Sequence, residues 1–246
     1  MKIENKNFWE REDIIATQEV LTSISDFEHF MFENSLKRYD KKGKINRIKV
    51  FGCGTGRELK GIATVYAPNK IVASDISDNM IEKCNENLKV WSIDGITTTI
   101  VGDAKDFDKL VNEFELVTIL NSMLTYVPLR KDRLKIFKNS HQILVEEGVL
   151  IGTVHNQIGV LAKTVYFKMR GLFSVFLGEK VGNRDTGFKG FKVPGYYYTK
   201  RGLVRDLKES GFRDIEVYSI EELYAMNGHR YNRKRGYNNL IFIASK

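Results

Sequence analysis

The stretch Arg47-Ile-Lys-Val-Phe-Gly-Cys-Gly-Thr-Gly56 decides the fold of this chain, because an apolar run ends directly in three closely spaced glycines. Residues 47–51 have the pattern of a buried strand, and residues from about Arg57 to Tyr66 that of a helix. Glycine tolerates the backbone angles of a tight turn, and its missing side chain lets a ligand lie against the backbone at the helix amino end. The glycine turn is therefore the first candidate binding element.

The spacing of these glycines excludes two common phosphate-binding motifs. A dinucleotide fingerprint, G-x-G-x-x-G, would place a glycine at position 57, where the chain has Arg57. A P-loop would continue with Gly-Lys-Ser or Gly-Lys-Thr after four intervening residues, and the sequence does not. Gly52, Gly54 and Gly56 therefore point to another kind of ligand.

Strands and helices alternate on both sides of this turn. The predicted strands are residues 47–51, 70–74, 97–101, 115–120, 149–154, 215–218 and 239–244. The predicted helices between them are residues 57–66, 79–91, 128–146 and 200–210, the last capped by Thr199 and closed by Gly211. Parallel strands need helical crossovers, so we predict a doubly wound, mostly parallel α/β sheet of seven strands. No helix is predicted between the last two strands, which favours an antiparallel last strand.

The chain is predicted to be one domain, residues 1–246, with two additions to a core. Residues 1–45 form an amino-terminal helical cap, in which apolar positions such as Ile14 and Leu21 recur at helical spacing. We predict two helices there, separated near Ser23–Ser25, with a capping box between Ser25 and Glu28. Residues 46–156 form the cofactor-binding core, residues 157–198 an insertion over the site, and residues 199–246 the last helix and strands.

Composition limits the class of protein. Apolar residues make up 42% and charged residues 28% of the 246 positions, a balance typical of a globular domain. Lys and Arg exceed Asp and Glu by 39 to 31, and the net charge of +8 favours either an anionic partner or simple solubility. No apolar run reaches the roughly 18 residues of a membrane span, and Cys53 and Cys84 have neither disulfide nor metal-site spacing. We therefore predict a cytoplasmic protein without a metal or a membrane partner.

Two carboxylates follow the second and third predicted strands. Asp75 ends one strand and Asp103 follows the next, so both should lie at the same edge of the sheet as the glycine turn. A carboxylate at Asp75 could accept hydrogen bonds from the two hydroxyls of a ribose, and one at Asp103 from the exocyclic amine of an adenine. Each position could also be an ordinary helix cap or turn, but the three features together predict an adenosyl ligand.

These motifs resemble those of the class I S-adenosylmethionine-dependent methyltransferases. The resemblance covers residues 49–154 and resumes from Tyr197 onward, with Val50-Phe-Gly-Cys-Gly-Thr-Gly56 similar to the first motif. It implies S-adenosylmethionine as cofactor, S-adenosylhomocysteine as product, and in-line displacement onto an acceptor. The cofactor-binding residues that it implies are Phe51, Gly52, Cys53, Gly54, Gly56, Asp75, Ile76, Met80, Asp103, Ala104 and Asn121.

One position departs from the family pattern. The family usually has an acidic residue two positions before the first glycine, and this chain has Val50. That acid helps to orient the amino-acid end of the cofactor, so either Glu58 or a carbonyl near Asn121 would have to replace it. A methyltransferase-like scaffold without catalytic activity is therefore an alternative to an enzyme.

The acceptor side is predicted from residues beyond the fourth and fifth strands. Tyr126 could contact either ligand or simply pack, and His155 could be a general base or a surface histidine; both are the catalytic candidates. The insertion mixes aromatic and basic residues, which predicts a lid over a small-molecule acceptor with an anionic or aromatic group. The basic segment from Arg230 to Tyr237 leaves RNA methylation as a second alternative.

Overall fold

The computed structural model describes residues 4–19, 23–39, 43–107, 111–188, 190–232 and 238–246. Leu21 and residues 233–237 of the basic segment, which figure in the sequence predictions, lie outside the described residues. The strands of the described part are β1 Arg47–Phe51, β2 Lys70–Asp75, β3 Thr97–Val101, β4 Phe114–Ile119, β5 Leu144–Val154, β6 Thr186–Phe188, β7 Phe191–Val193, β8 Arg213–Ser219 and β9 Leu240–Ser245.

Seven of these strands form one sheet in the order β3-β2-β1-β4-β5-β9-β8. The first five pair in parallel, whereas β9 is antiparallel to both β5 and β8. The predicted doubly wound sheet with an antiparallel last strand is thereby confirmed. β6 and β7 form a separate antiparallel hairpin inside the insertion. Because β1 to β4 run parallel, their carboxyl ends meet at one edge of the sheet, and the candidate site lies there.

Helices cover both faces of the sheet. They are α1 Asn5–Trp9, α2 Glu12–Glu19, α3 Asp26–Tyr39, α4 Arg57–Tyr66, α5 Asp78–Val90, α6 Arg130–Ile143, α7 Leu161–Leu172, α8 Ser174–Leu177, α9 Lys200–Glu209 and α10 Ile220–Met226. On one face α3, α4, α5 and α10 pack against the sheet, and Val50 of β1 lies in that core. On the other face α6 and α9 pack against side chains such as Phe51 and Val117. Apolar burial on both faces holds the layers together.

Local caps explain several helix ends. The Ser77 hydroxyl accepts a hydrogen bond from the Met80 amide (3.1 Å) and begins α5. The predicted cap at Thr199 is confirmed, because its hydroxyl accepts from the Gly202 amide (3.0 Å). Gly211 follows α9 with φ of +99°, a left-handed conformation that glycine adopts without strain.

Four sequence predictions differ from the structure. The helix expected to run to residue 146 ends at Ile143, because Leu144 already pairs with Phe114 in the sheet. The helix α10 lies between the last two strands, where none was predicted, and a capping box of Ser219 with Glu222 begins it. The described amino-terminal residues form three helices rather than two.

The fourth difference is the amino-terminal capping box. Glu28 does accept a hydrogen bond from the Ser25 amide (2.7 Å), as predicted. The Ser25 hydroxyl, however, donates to the same carboxylate (2.7 Å). Only half of the predicted box is therefore present.

Among the described residues, no helix is both long and apolar enough to cross a membrane.

Candidate functional site

A cavity of about 310 Å³ opens at the carboxyl ends of β1 to β4. Its volume lies within the range of small-molecule sites in proteins. Residues from the strand ends form one side of it: Gly52, Gly54, Asp75, Ile76, Met80, Gly102, Asp103, Ala104, Lys105 and Asn121. Residues from the amino-terminal helices and from the segment before and within α6 form the other: Asn5, Trp9, Gln18, Met123, Tyr126, Val127, Pro128, Asp132 and Ile136.

The glycine turn has the conformation that its sequence predicts. Gly52, Gly54 and Gly56 all have positive φ, of +68°, +52° and +87°. A methyl group on Gly52 would come within 2.6 Å of the Met123 Cγ atom, and one on Gly56 within 2.8 Å of the Cys84 Sγ atom. These two glycines therefore permit close packing, while Gly54 exposes its backbone to the cavity.

Asp75 connects the glycine turn to the end of β2. Its Oδ2 accepts a hydrogen bond from the Gly54 amide (2.8 Å), and its Oδ1 accepts from the Ser77 amide (3.0 Å). Burial raises the pKa of this carboxyl, and the backbone hydrogen bonds oppose that rise. A carboxylate has about four lone-pair sites, so Asp75 keeps acceptor capacity toward the cavity.

Asp103 lies on the neighbouring part of the cavity wall, just after β3. Its Oδ1 accepts from the Lys105 amide (3.0 Å), and the Lys105 ammonium lies 3.1 Å from its Oδ2. The hydrogen bond to Asp103 is the main reason that the pKa of Lys105 is raised. Asp103 and Asp75 both face the cavity, so the two predicted acids occur together.

A polar network holds the exposed Asn121 at the end of β4. The Asn121 side chain accepts from the Arg57 guanidinium (2.8 Å) and donates to the Glu58 carboxylate (3.3 Å). Burial raises the pKa of Glu58 to about 7, although the charge of Arg57 lowers it. Arg57 also forms a buried ion pair with Glu28 of α3. Glu58 thus supports Asn121 rather than lining the cavity.

The helices α1 and α2 line the cavity through Asn5, Trp9 and Gln18, which the sequence analysis did not name as site residues. The indole of Trp9 lies edge-on to the Tyr126 ring, with centroids 5.1 Å apart at 90°. The Ser77 hydroxyl donates to the Trp9 carbonyl oxygen (3.2 Å), and the Glu10 carboxylate accepts from the Asp78 amide (2.9 Å). The aromatic pair Phe8-Trp9 in a polar stretch is the sequence signal that could have identified this cover.

The comparisons with known proteins agree with this geometry. Residues 49–148 match the family described as a methyltransferase domain, and this range contains the glycine turn, Asp75, Asp103 and Asn121. This range, 100 of the 246 residues, is the methyltransferase domain of the chain.

One curated relative of this methyltransferase is the carboxy-S-adenosyl-L-methionine synthase of Shewanella pealeana. The two are 28% identical over 160 residues, which are 64% of this chain and 56% of the relative. The match thus spans little more than half the length of that protein.

Solved structures share the fold of the methyltransferase. An S-adenosylmethionine-dependent methyltransferase from Methanosarcina mazei has a TM-score of 0.64 and 17% identity, over 91% of this chain and 98% of that one. Phosphoethanolamine N-methyltransferase 2 from Haemonchus contortus, in complex with S-adenosyl-L-methionine, has a TM-score of 0.66 and 17% identity, over 98% of this chain and 59% of that one. At such identities the likeness concerns the fold.

The residues of the methyltransferase fit an adenosyl cofactor. Gly54 presents bare backbone, and Asp75 and Asp103 present carboxylate oxygens beside the apolar side chains of Met80 and Ile136. The remaining predicted cofactor residues do not line the cavity. Phe51 is buried beside Phe107, with ring centroids 5.3 Å apart, while Cys53 is a buried free cysteine and Gly56 packs on Cys84. These three residues belong to the packing around the glycine turn and not to the cavity wall.

The two catalytic candidates of the methyltransferase occupy different positions. Tyr126 lines the cavity, whereas His155 lies behind it, with ring centroids 6.2 Å apart. His155 is half-buried, and burial followed by the charge of Lys163 lowers its pKa to about 4. Its amide donates to the Thr125 hydroxyl (2.9 Å). Catalytic roles for Tyr126 and His155 stay predictions.

The insertion contacts the amino-terminal cover of the methyltransferase. Phe191 of β7 lies 6.3 Å from Phe8 between ring centroids, and the Arg11 guanidinium lies 4.2 Å from the Phe191 centroid. None of the described residues of the insertion lines the cavity of about 310 Å³. A lid function for residues 157–198 therefore stays a prediction, and α1 and α2 form the immediate cover.

Proposed function

We propose that this chain transfers the methyl group of S-adenosylmethionine to a small-molecule acceptor. The observation that carries the proposal is the placement of Gly54, Asp75 and Asp103 on one side of a single cavity and Tyr126 on the other. The cofactor, when bound, supplies a sulfonium methyl: the acceptor lone pair bonds to that carbon while the carbon–sulfur bond breaks and its electron pair stays on sulfur, giving S-adenosylhomocysteine.

The protein's contribution is to orient and enclose the reactants. In the proposal Asp75 holds the ribose hydroxyls, and Asp103 accepts from the adenine amine. Asn121 holds the amino-acid end of the cofactor, and it replaces the acidic residue that the family usually has at the position of Val50. Trp9 and Tyr126 exclude water from the opposite side. Because the methyl donor is already activated, orientation in a dry pocket supplies most of the rate enhancement.

Two cations behind Tyr126 support an anionic acceptor. The Lys163 ammonium lies 5.7 Å and the Arg184 guanidinium 5.8 Å from the centroid of the same ring, that of Tyr197. That ring lies 5.1 Å from His155, which connects it to the cavity wall at Tyr126.

The two cations also repel each other. Burial and the charge of Arg184 lower the pKa of Lys163 to about 8. Within the described part of the chain, neither cation forms an ion pair with a carboxylate. A carboxylate or phosphate on the acceptor would relieve this repulsion.

A second candidate function follows from the curated relatives. Their name indicates synthesis of carboxy-S-adenosyl-L-methionine instead of methyl transfer. Both candidate reactions start from S-adenosylmethionine and would use the same cavity. Mass spectrometry of the nucleoside products distinguishes them, because one reaction yields S-adenosylhomocysteine and the other a carboxylated S-adenosylmethionine.

The decisive experiment has two stages. Calorimetry with S-adenosylmethionine should show binding, whereas absence of heat would favour the non-catalytic scaffold. A panel of carboxylated, phosphorylated and neutral small molecules, with RNA as a further sample, is then tested for release of S-adenosylhomocysteine. Release only with RNA would overturn the small-molecule proposal. The cytoplasmic location stays a prediction from the sequence.

The anionic acceptor is tested with matched variants. Lys163→Met and Arg184→Met should each raise KM for the anionic acceptor by about tenfold, the usual size of one lost charge-assisted contact. Lys192→Met, at an exposed position of β7, should leave KM unchanged. An equal loss of cofactor affinity in the two variants would instead indicate general damage to the site.

A further inference from the structure

The helices of the insertion expose an apolar stripe. Leu161 is 80% exposed and Leu172 75%, and Phe176 of α8 is 88% exposed. Val165, Met169, Phe173 and Val175 are exposed as well. The positions 161, 165, 169, 172 and 176 follow the three- and four-residue steps of one helix face. Phe167 is the buried residue of α7, so this helix rests on the domain by its opposite side.

The charges along these helices are nearly all positive. Residues 161–182 contain four cations, Lys163, Lys168, Arg170 and Lys180, and a single acid, Glu179. Lys168 lies on α7 and Lys180 follows α8 by three residues, and both are exposed. An exposed apolar face flanked by Lys and Arg is the pattern of a helix that lies in the interface of an anionic bilayer.

We propose that α7 and α8 dock this methyltransferase on the surface of membranes that contain anionic lipids. The apolar stripe enters the boundary between headgroups and acyl chains, and Lys168 and Lys180 contact lipid phosphates. With 12 residues, α7 is too short to span a bilayer, so the association is peripheral. The proposal revises the sequence prediction of no membrane partner, and it does not depend on the proposed function.

The charge pattern argues against a second copy of the chain as the occupant. A symmetric dimer places the same patch on both subunits, so the exposed lysines Lys168 and Lys180 would face an identical pair. Lipid phosphates complement that charge instead. The insertion follows β5 at the edge of the sheet that holds the cavity, and its hairpin contacts the cover through Phe191 and Phe8. Docking would thus place the bilayer beside the site.

Vesicle flotation with the full chain tests the proposal. Vesicles of phosphatidylcholine with phosphatidylglycerol should bind the protein about tenfold more strongly than vesicles of phosphatidylcholine alone, and high salt should remove that difference. The double variant Leu172→Ser/Phe176→Ser should lose binding to both. Lys168→Gln/Lys180→Gln should lose mainly the preference for anionic vesicles.

A matched control and a rival outcome complete the test. Val90→Ser, at a position of α5 that is 79% exposed, should bind vesicles like the wild type. No flotation of the wild type with anionic vesicles would overturn the proposal. A dimer that Leu172→Ser/Phe176→Ser dissociates, observed by light scattering without vesicle binding, would assign the surface to a second copy and would also overturn it.

Discussion

The amide of Gly54 donates a 2.8 Å hydrogen bond to the Oδ2 atom of Asp75, which joins the glycine turn to the end of the neighbouring strand. The two motifs are 21 residues apart in the chain but form one structural unit. A substitution at either position should therefore change both the shape of the turn and the acceptors that face the cofactor.

Replacing Asp75 by alanine should weaken S-adenosylmethionine binding by about 1–3 kcal/mol, because buried donors of ligand and turn lose their acceptor. Isothermal titration calorimetry measures the effect. Asp94→Ala, at an exposed position before β3, is the control and should bind normally. The assignment of Asp75 would be wrong if both variants bound the cofactor like the wild type.

Asp103→Ala should also weaken cofactor binding by about 1–3 kcal/mol, since Asp103 is proposed to accept from the adenine amine. Lys105→Met removes only the ion pair at Oδ2 and should cost less. Competition with adenosine analogues that lack the exocyclic amine checks the role. These analogues should bind the wild type more weakly than adenosine does, and this disadvantage in affinity should disappear in Asp103→Ala. A persistent disadvantage would place the adenine elsewhere.

Gly52→Ala should lower both stability and cofactor affinity. The new methyl group would lie 2.6 Å from the Met123 Cγ atom, which pushes that side chain toward the cavity. The left-handed backbone adds about 1–2 kcal/mol of strain for alanine. Thermal unfolding and calorimetry measure the two effects. Gly95→Ala, where the added methyl group meets nothing within 4 Å, should change neither.

Lys49 makes the stability of the fold depend on pH. The lysine is buried in β1, donates to the Ser74 hydroxyl (2.8 Å), and lies 3.9 Å from the Phe107 ring centroid. Burial lowers its pKa to about 7. Between pH 7 and about 10, the unfolded chain binds more protons at this residue than the folded one, so stability rises with pH in that window.

Lys49→Met should accordingly stabilise the protein by about 1–4 kcal/mol at pH 6, and by less at pH 9. Urea unfolding at the two pH values measures the difference. Lys70→Met, at an exposed position, should show no such dependence. Equal effects of Lys49→Met at both pH values would mean that the buried amine keeps an ordinary pKa.

His155 should stay neutral in the folded protein above about pH 5, because its pKa is lowered to about 4. Its ring resonances in NMR spectra should therefore not titrate between pH 5.5 and 8. The pH profile of kcat/KM in the wild type should then show no limb near pH 6.5 that is absent from the profile of His155→Asn. Such a limb would contradict the buried, neutral state.

The sequence predicted the parts of the site that local motifs specify. The glycine turn, Asp75 and Asp103 each follow the end of a strand. The carboxyl ends of parallel strands lie at the same edge of the sheet, so a parallel fold brings these three features together. Trp9 and Gln18 could not be predicted, because their position depends on how the amino-terminal helices pack on α5. The burial of His155 likewise depends on Tyr197, 42 positions further along the chain.

Val50 shows how far a missing motif residue can be interpreted from the sequence. Its side chain is buried in the core between the sheet and α3 to α5, and the effect of the missing acid on cofactor affinity stays a prediction. The sequence pointed to Glu58 or a carbonyl near Asn121 as the replacement. Only the fold shows that Asn121 lines the cavity, while Glu58 and Arg57 hold its side chain through hydrogen bonds from α4.

The attachment of α1 to the amino end of α5 has a consequence for turnover. Glu10 accepts from the Asp78 amide, and Lys6 forms an ion pair with Asp78 (3.0 Å), so the cover is attached to the segment that follows Asp75. In the proposed function, S-adenosylhomocysteine would leave the cavity after these contacts separate. We predict that the opening of this five-residue helix, rather than the chemical step, then limits turnover.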